Sequence, residues 1–232
     1  MARAPIARPA GRSTALVLAE LRRAISQGDL APGEQVRQQL WADRIGVSRP
    51  PLREALEILT TEGLLVHGVN HDYFVTRFLR DEMQQLYTMR LLLEQEALRS
   101  LQWPDEERLA EFSEQVRLIE EHALAGRPDI AMQGLSDLYI GIYQLSGRHL
   151  IVEEIHRLWI KTTAYRSLSF DILRDPAQSG RRLRRIVGLL RDHELDELRE
   201  MLLHPTIRGR LGTAVPDVAP HEGDDAGRVA AS

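Results

Sequence analysis

The chain contains no cysteine, which excludes disulfides and thiolate metal sites. Lysine occurs once, as Lys161, so almost all positive charge is arginine. Aromatic residues are few, at 5% of the chain, while apolar content is ordinary for a globular protein. No apolar run approaches the roughly 18–20 residues that a membrane span needs. The N-terminal stretch MARAPIARPAGRS is basic but lacks the apolar segment of a secretory signal. There is no nucleophile motif, no phosphate-cradling loop and no HExxH pair. His149, His156 and His193 are scattered without partners at metal or triad spacing. A cytoplasmic, non-membrane protein that is not an enzyme is the expectation.

What is present is length and an uneven charge. The 232 residues suffice for one or two domains with real cores. The net charge of −4 argues against a nucleic-acid partner, but its distribution does not. Residues 1–80 carry 11 Arg against 8 acids, a balance of +3. Residues 81–232 carry 18 Arg and one Lys against 26 acids, a balance of −7. A mildly basic head on an acidic remainder suits a domain that meets phosphate joined to one that does not.

The most informative stretch is residues 38–62, QQLWADRIGVSRPPLREALEILTTE. It reads as a short helix, a tight turn and a longer helix. Leu40, Trp41, Ile45 and Val47 are the apolar positions of the first part. Gly46 falls where that helix must stop, because glycine takes positive φ without a Cβ clash. Ser48 is placed to cap the next helix through its hydroxyl. Pro50 and Pro51 sit in that helix's first turn, where a missing N–H costs nothing. Leu52, Ala55, Leu56 and Leu59 then recur at helical spacing as a buried face. Arg49 and Arg53, four apart, project together from the opposite side. This is the geometry of a helix-turn-helix whose second helix enters the major groove, where arginine reads guanine bidentately. Ser48 and the amides of the helix start are placed to hold a phosphate. The plainer alternative is a helical hairpin with two solvated arginines.

The rest of the head follows the same periodicity argument. A first helix is expected from about residue 14 to 27, with Leu16, Leu21, Ala24 and Ile25 on one face. Residues 64–66 and 73–76 read as two strands of a hairpin whose turn holds Asn70, His71 and Asp72. Three helices and a hairpin make a winged helix-turn-helix, and the hairpin tip would lie beside the minor groove or backbone. The hairpin could equally serve only to pack the core.

The expected organisation is a disordered arm at 1–12, the winged head at 13–76, a linker at 77–80, an all-α bundle at 81–204 and a disordered tail at 205–232. Within the bundle, helices are predicted over 81–101 with an Asp81 cap, from Pro104 onward, from an Asp129 cap, from 149 to about 172, and over 181–191 and 194–204. Residues 175–180 are expected as a loop. The run RRLRR at 181–185 reads as a solvated helix face.

The head resembles the GntR family of bacterial transcription factors. The resemblance is carried by PGE at 32–34, GVSRPPLREAL at 46–56 and EGLL at 62–65. The helical remainder, led by MRLLLEQEAL at 89–98, is similar to the FadR-type C-terminal effector domain known as FCD. The resemblance covers about residues 13–204. It implies that Arg49 and Arg53 contact bases or adjacent phosphates and that Ser48 contacts phosphate, with Pro51 in the same motif. Gln39 stands where some relatives place a DNA-contacting arginine. Many relatives have a glycine near Asp72, whose charge would repel phosphate, so Asn70 and His71 are the expected wing contacts.

The effector domain departs more from its relatives. Many of them bind a divalent metal through an aspartate, a histidine four residues later and two further histidines. Asp137 matches the aspartate, but Gly141 stands where the first histidine belongs. Leu183 or a neighbouring arginine stands where the second belongs, and His204 or Pro205 at the third. One aspartate and one histidine do not make a site, so no metal or other cofactor is expected; His204 has the alternative of a cation at a helix C-terminus. The effector candidates are Arg90, Glu94, Asp137, Arg166 beside Tyr165, and His204, with a carboxylate ligand in view. The alternative for Arg90 and Glu94 is an internal ion pair.

The implied function is a homodimeric transcriptional regulator, a repressor, that binds a pseudo-palindromic double-stranded DNA operator and answers to a small-molecule effector. The competing readings are an all-helical small-molecule-binding protein or enzyme with an incidental winged head, and a DNA-binding protein whose bundle only dimerises.

Overall fold

A computed structural model of the chain describes residues 10–68, 71–162, 165 and 175–203. These fall into two compact units, one ending at Phe78 and the other beginning at Leu79. The protein is mainly α-helical, with one small sheet among the described residues.

In the first unit, helix α1 spans Ala10–Gln27. It begins inside the expected N-terminal arm, of which residues 1–9 lie outside the described residues. Its core face is Val17, Leu21, Ala24 and Ile25, all fully buried. Leu16, expected on that face, is 40% exposed. It is five residues from Leu21, which is about 140° around a helix, whereas Val17 at four is nearly in line. Helix α2 (Gln38–Ile45) buries Trp41 and Ala42. Leu40, one of the apolar positions of this stretch, lies on the solvent side at 60% exposure. Gly46 closes α2 as expected, at φ +73°, its N–H donating to the Ala42 carbonyl at 2.9 Å. Helix α3 (Arg49–Thr61) buries Leu52, Ala55, Leu56 and Leu59 and packs against α1 and α2.

Strands β1 (Leu65–His67) and β2 (Tyr73–Val75) pair antiparallel, with Leu65 opposite Val75, Val66 opposite Phe74 and His67 opposite Tyr73. The first strand starts one residue later than expected. Leu64 N–H is taken by the Leu59 carbonyl at 2.9 Å, finishing the exit from α3. A bridge between Gln35 and Phe74 adds the α1–α2 loop to the edge of β2. Three helices and this hairpin form the winged arrangement expected from sequence.

The second unit is helical throughout: α4 (Arg80–Arg99), α5 (Glu106–Leu124), α6 (Pro128–Gln144), α7 (His149–Lys161), α8 (Pro176–Asp192) and α9 (Leu195–Leu203). Helix α5 packs on α6 and α8, and α4 packs on α7. Phe112, Ile119, Leu138, Ile142, Ile186 and Leu190 form the centre of its core.

Several helix starts differ from the expected ones, for reasons of capping or of proline in the first turn. Asp81 does not cap α4: it sits in the first turn, and Glu82 reaches back to accept from Leu79 N–H at 2.7 Å. The cap of α5 is Asp105, accepting from Arg108 N–H at 2.8 Å, rather than Pro104 opening the helix. Helix α6 starts at Pro128 and carries Asp129 in its first turn. The expected loop at 175–180 is mostly the first turn of α8, because Asp175 caps it through Gln178 N–H at 2.8 Å and Pro176 fits the first helical position. The expected extension of α7 past Lys161 falls largely outside the described residues, as do Arg166, His204 and the expected tail.

Candidate nucleic-acid interface

The turn between α2 and α3 places the first turn of α3 at the surface. Arg49 and Arg53 are both exposed, while the leucines of the same helix are buried behind them. The sequence-predicted division of α3 into an arginine face and a core face is therefore the observed one. Pro51, which the family motif grouped with the DNA contacts, is a correction: it is buried along with Leu52, Ala55, Leu56 and Leu59 of the same helix.

Ser48 occupies the N-cap position, at φ −78° and ψ 168°, but its side chain makes no capping hydrogen bond. The reason is in the next residues. A capping hydroxyl accepts from the amide two or three positions on, and those positions are Pro50 and Pro51, which have no N–H. The expected amide cradle is thinned for the same reason, leaving the Ser48 and Arg49 amides and the Ser48 hydroxyl as the groups a phosphate would meet.

Arg49 Nη2 donates to Gln39 Oε1 at 3.0 Å, and Gln39 Nε2 donates to Asp43 Oδ1 at 2.9 Å. Gln39 thus lies beside Arg49, with its amide engaged at both ends. Asp43 was not picked out from sequence, although its spacing of four from Gln39 on one helix is a local signal.

The wing is fastened to the same surface. Gln38 Nε2 donates to the His71 carbonyl at 3.1 Å, tying the N-terminus of α2 to the hairpin tip. His71 is exposed and has φ +61°, the left-handed conformation that a glycine takes most readily. Asn70, the other expected wing contact, lies outside the described residues. Behind the tip, Tyr73 is buried and its hydroxyl donates to Glu57 Oε1 at 2.5 Å. His67 Nε2 lies 3.4 Å from Glu57 Oε2, and the His67 and Tyr73 rings are 4.8 Å apart. The Tyr73 hydrogen bond is the main cause holding the Glu57 carboxyl below its usual range. Burial, reinforced by Glu57, pushes the Tyr73 phenol up to about 12. Glu57 follows Arg53 by one turn, a spacing visible in the sequence, but its partner Tyr73 is 16 residues away and carries no local signal.

The effector candidates in the bundle separate. Arg90 and Glu94 are buried and paired, with Arg90 Nε and Nη2 both donating to Glu94 Oε1 at 3.1 and 3.0 Å. Trp159 Nε1 donates to the same oxygen at 2.7 Å, and Arg90 Nη1 reaches Thr162 Oγ1 at 3.4 Å. The guanidinium also lies over the Trp159 and Tyr87 rings, 4.5 and 5.3 Å from their centres. Tyr143 is buried nearby, its hydroxyl without a well-formed hydrogen bond among the described residues. Burial, together with the Glu94 charge, pushes that hydroxyl well above its ordinary range.

Asp137 does not join this cluster. It is exposed and accepts from Gln133 Nε2 at 2.8 Å on the outside of α6. Gly141, one turn on, is buried, and a Cβ there would stand 3.1 Å from Phe112 Cε1 and 3.2 Å from Arg108 Nη2. The space that a histidine side chain would need is taken by the Arg108 guanidinium stacked on Phe112, 4.4 Å from the ring centre. No group of three or more His, Asp or Glu residues among the described residues is arranged to hold a metal ion. The RRLRR run is a paired face: Arg184 bonds Glu120, Arg185 bonds Glu197 at 2.5 Å, and Arg182 bonds the Met201 carbonyl at 2.6 Å.

A winged head with two exposed arginines on its third helix, followed by a helical bundle, is the architecture of DNA-binding transcriptional regulators. Residues 14–70 match the model of the bacterial regulatory proteins of the gntR family, and residues 85–204 match the FCD domain. The chain belongs to the GntR family and carries an FCD effector-binding domain.

Among curated relatives, it is 31% identical over 111 residues to the HTH-type transcriptional regulator YdhC of Bacillus subtilis, covering 47% of this chain and 50% of that one. It is 43% identical over 68 residues to the Nta operon transcriptional regulator of Aminobacter aminovorans, covering 29% of this chain and 32% of that one. The matches thus span half or less of those relatives' lengths.

Among solved structures, a GntR transcriptional regulator from Rhodococcus sp. RHA1 has a TM-score of 0.66 at 21% identity, covering 90% of this chain and 100% of that one. McbR/YncC of E. coli has a TM-score of 0.63 at 19% identity, covering 87% and 96%. These two likenesses establish the shared fold.

Proposed function

We propose that this protein is a cytoplasmic, homodimeric repressor that binds a pseudo-palindromic operator and releases it in response to a small, carboxylate-bearing effector. The observation that carries the reading is the exposure of Arg49 and Arg53 together on the first turns of α3, with Ser48 and the wing residue His71 at the same unit's surface. A two-fold protein reads a two-fold site, so one head per half-site gives the palindrome. Pairing through the helical unit would leave both heads available to DNA. An effector bound in the bundle acts by favouring one relative placement of the heads. A carboxylate there would compete with Glu94 for Arg90. Operon control, as named for the Aminobacter aminovorans relative, fits the same role.

The test is selection of bound duplexes from a random-sequence library, followed by gel-shift titration of the enriched site. The expected result is an inverted-repeat motif bound by two protomers, with the Arg49→Ala and Arg53→Ala substitutions each weakening binding by about 1–3 kcal/mol. Unchanged affinity in both variants overturns the assigned role of α3. Screening carboxylic-acid metabolites for thermal stabilisation, then repeating the shift with each hit, tests the effector. A hit that stabilises the protein and leaves DNA binding untouched favours an incidental winged head.

A further inference from the structure

We propose that Gln39 and Asp43 are positioning residues for Arg49, so that Asp43, which never meets the DNA, helps set which base is read. This rests on the reading that α3 enters the major groove.

The chain of contacts is Asp43 Oδ1 to Gln39 Nε2 at 2.9 Å, then Gln39 Oε1 to Arg49 Nη2 at 3.0 Å. Its direction is fixed by chemistry. A carboxylate only accepts and a guanidinium only donates, so the amide between them must turn its NH₂ to Asp43 and its oxygen to Arg49. Glutamine is the residue that can satisfy both. Glutamate at 39 would face Asp43 with like charge, and the arginine of some relatives would face Arg49 with like charge.

The relay leaves Arg49 able to work. One N–H of Nη2 is used, and four of the five guanidinium N–H groups remain for a guanine edge or a phosphate. Gln39, by contrast, has its acceptor and one of its two N–H donors engaged, so it serves as a brace for Arg49 rather than as an independent base contact. Arg53 is set differently: it is exposed, and the charge that acts on it is the Glu57 carboxylate one turn on, at longer range than a hydrogen bond. One arginine on this face is held by a hydrogen bond before DNA arrives, and the other is drawn only by the charge of Glu57. A held side chain loses less freedom on binding and tolerates fewer partner geometries, so the held one discriminates between bases. Without this use, Asp43 would be an exposed carboxylate beside a phosphate-binding surface, which costs affinity by like-charge repulsion.

The experiment uses the full chain and a random 30-base-pair duplex library, comparing the base-preference profile and the salt dependence of binding for the wild type and three variants. In Asp43→Ala and Gln39→Ala, the guanine preference at one position per half-site should flatten. Affinity for the wild-type consensus should fall about three- to tenfold, while the slope of affinity against salt stays that of the wild type, because the phosphate contacts are kept. Asp43→Asn, which keeps an oxygen able to accept from Gln39, should restore the preference. Asp43→Ala with an unaltered profile overturns the proposal. A uniform loss across all positions together with a changed salt slope overturns it as well, because that is the mark of a disturbed fold. A wild-type protein that enriches no sequence at all overturns the underlying reading of α3, and is distinguishable from either.

Discussion

The substitution Glu94→Ala asks whether the buried pair in the bundle is structural. Glu94 is 1% exposed and Arg90 4%. One carboxylate oxygen accepts two bonds from Arg90 and one from Trp159. Removing it leaves a buried guanidinium with Thr162 Oγ1 and two ring faces for company, and takes the Glu94 bond away from the buried Trp159 indole N–H. Breaking a buried pair by deleting one partner costs about 3–5 kcal/mol, and the lost indole bond falls within the upper part of that range rather than adding in full.

At about 2–4 °C per kcal/mol for a chain of this size, the melting transition of the helical unit should drop by about 6–20 °C. Calorimetry on the full chain reads this, because the two compact units can melt separately. The double substitution Arg90→Met with Glu94→Leu should recover most of the loss, since a hydrophobic replacement of both partners is close to neutral. If Glu94→Ala shifts the transition by less than about 2 °C, or the double variant melts as low as the single, the pair is not what holds α4 to α7. Its burial would then need another purpose.

Tyr73→Phe should loosen the wing, seen as faster amide exchange in β2, with the core of the bundle unaffected. The Tyr73–Glu57 bond has a defined pH window. The Glu57 carboxyl is held below its ordinary value, so its contribution is present above that value and is lost as pH falls through the lowered one. Tyr73 is raised, so its contribution is full below about 10 and lost as pH rises towards about 12. The phenylalanine variant should flatten both flanks of a pH–stability profile of the head. Gly141→His should destabilise the bundle by about 1–3 kcal/mol through the 3.1 and 3.2 Å contacts with Phe112 and Arg108. Added zinc should not recover it in thermal melts, because Asp137 is turned to solvent.

The head was largely legible in the sequence because its information is local. The glycine stop at 46, the serine–proline start of α3 and the leucine spacing of 52–59 each act within a few residues, and each falls where expected. An error arose where a face was assigned from too few turns, as with Leu16. In the bundle, helix existence followed from periodicity, whereas starts were misplaced by a few residues when proline or aspartate could serve either as cap or as first turn. The polar contacts were least legible. The Arg90–Glu94 spacing of four is visible, but the indole that completes it is 65 residues further on. Tyr73 meets Glu57 only because the hairpin folds back on α3. The burial of Pro51 goes against its apparent role, since its place in a DNA-contacting motif says nothing about how exposed it is.

The adjacent Pro50 and Pro51 have a consequence for the thermodynamics of association. Their fixed φ angles restrict the chain before it folds, so the leading edge of α3 has little backbone freedom left to surrender when it meets a duplex. Docking of this edge should therefore proceed as a nearly rigid-body event, with a heat-capacity change accounted for by the surface that becomes covered and no added contribution from helix formation.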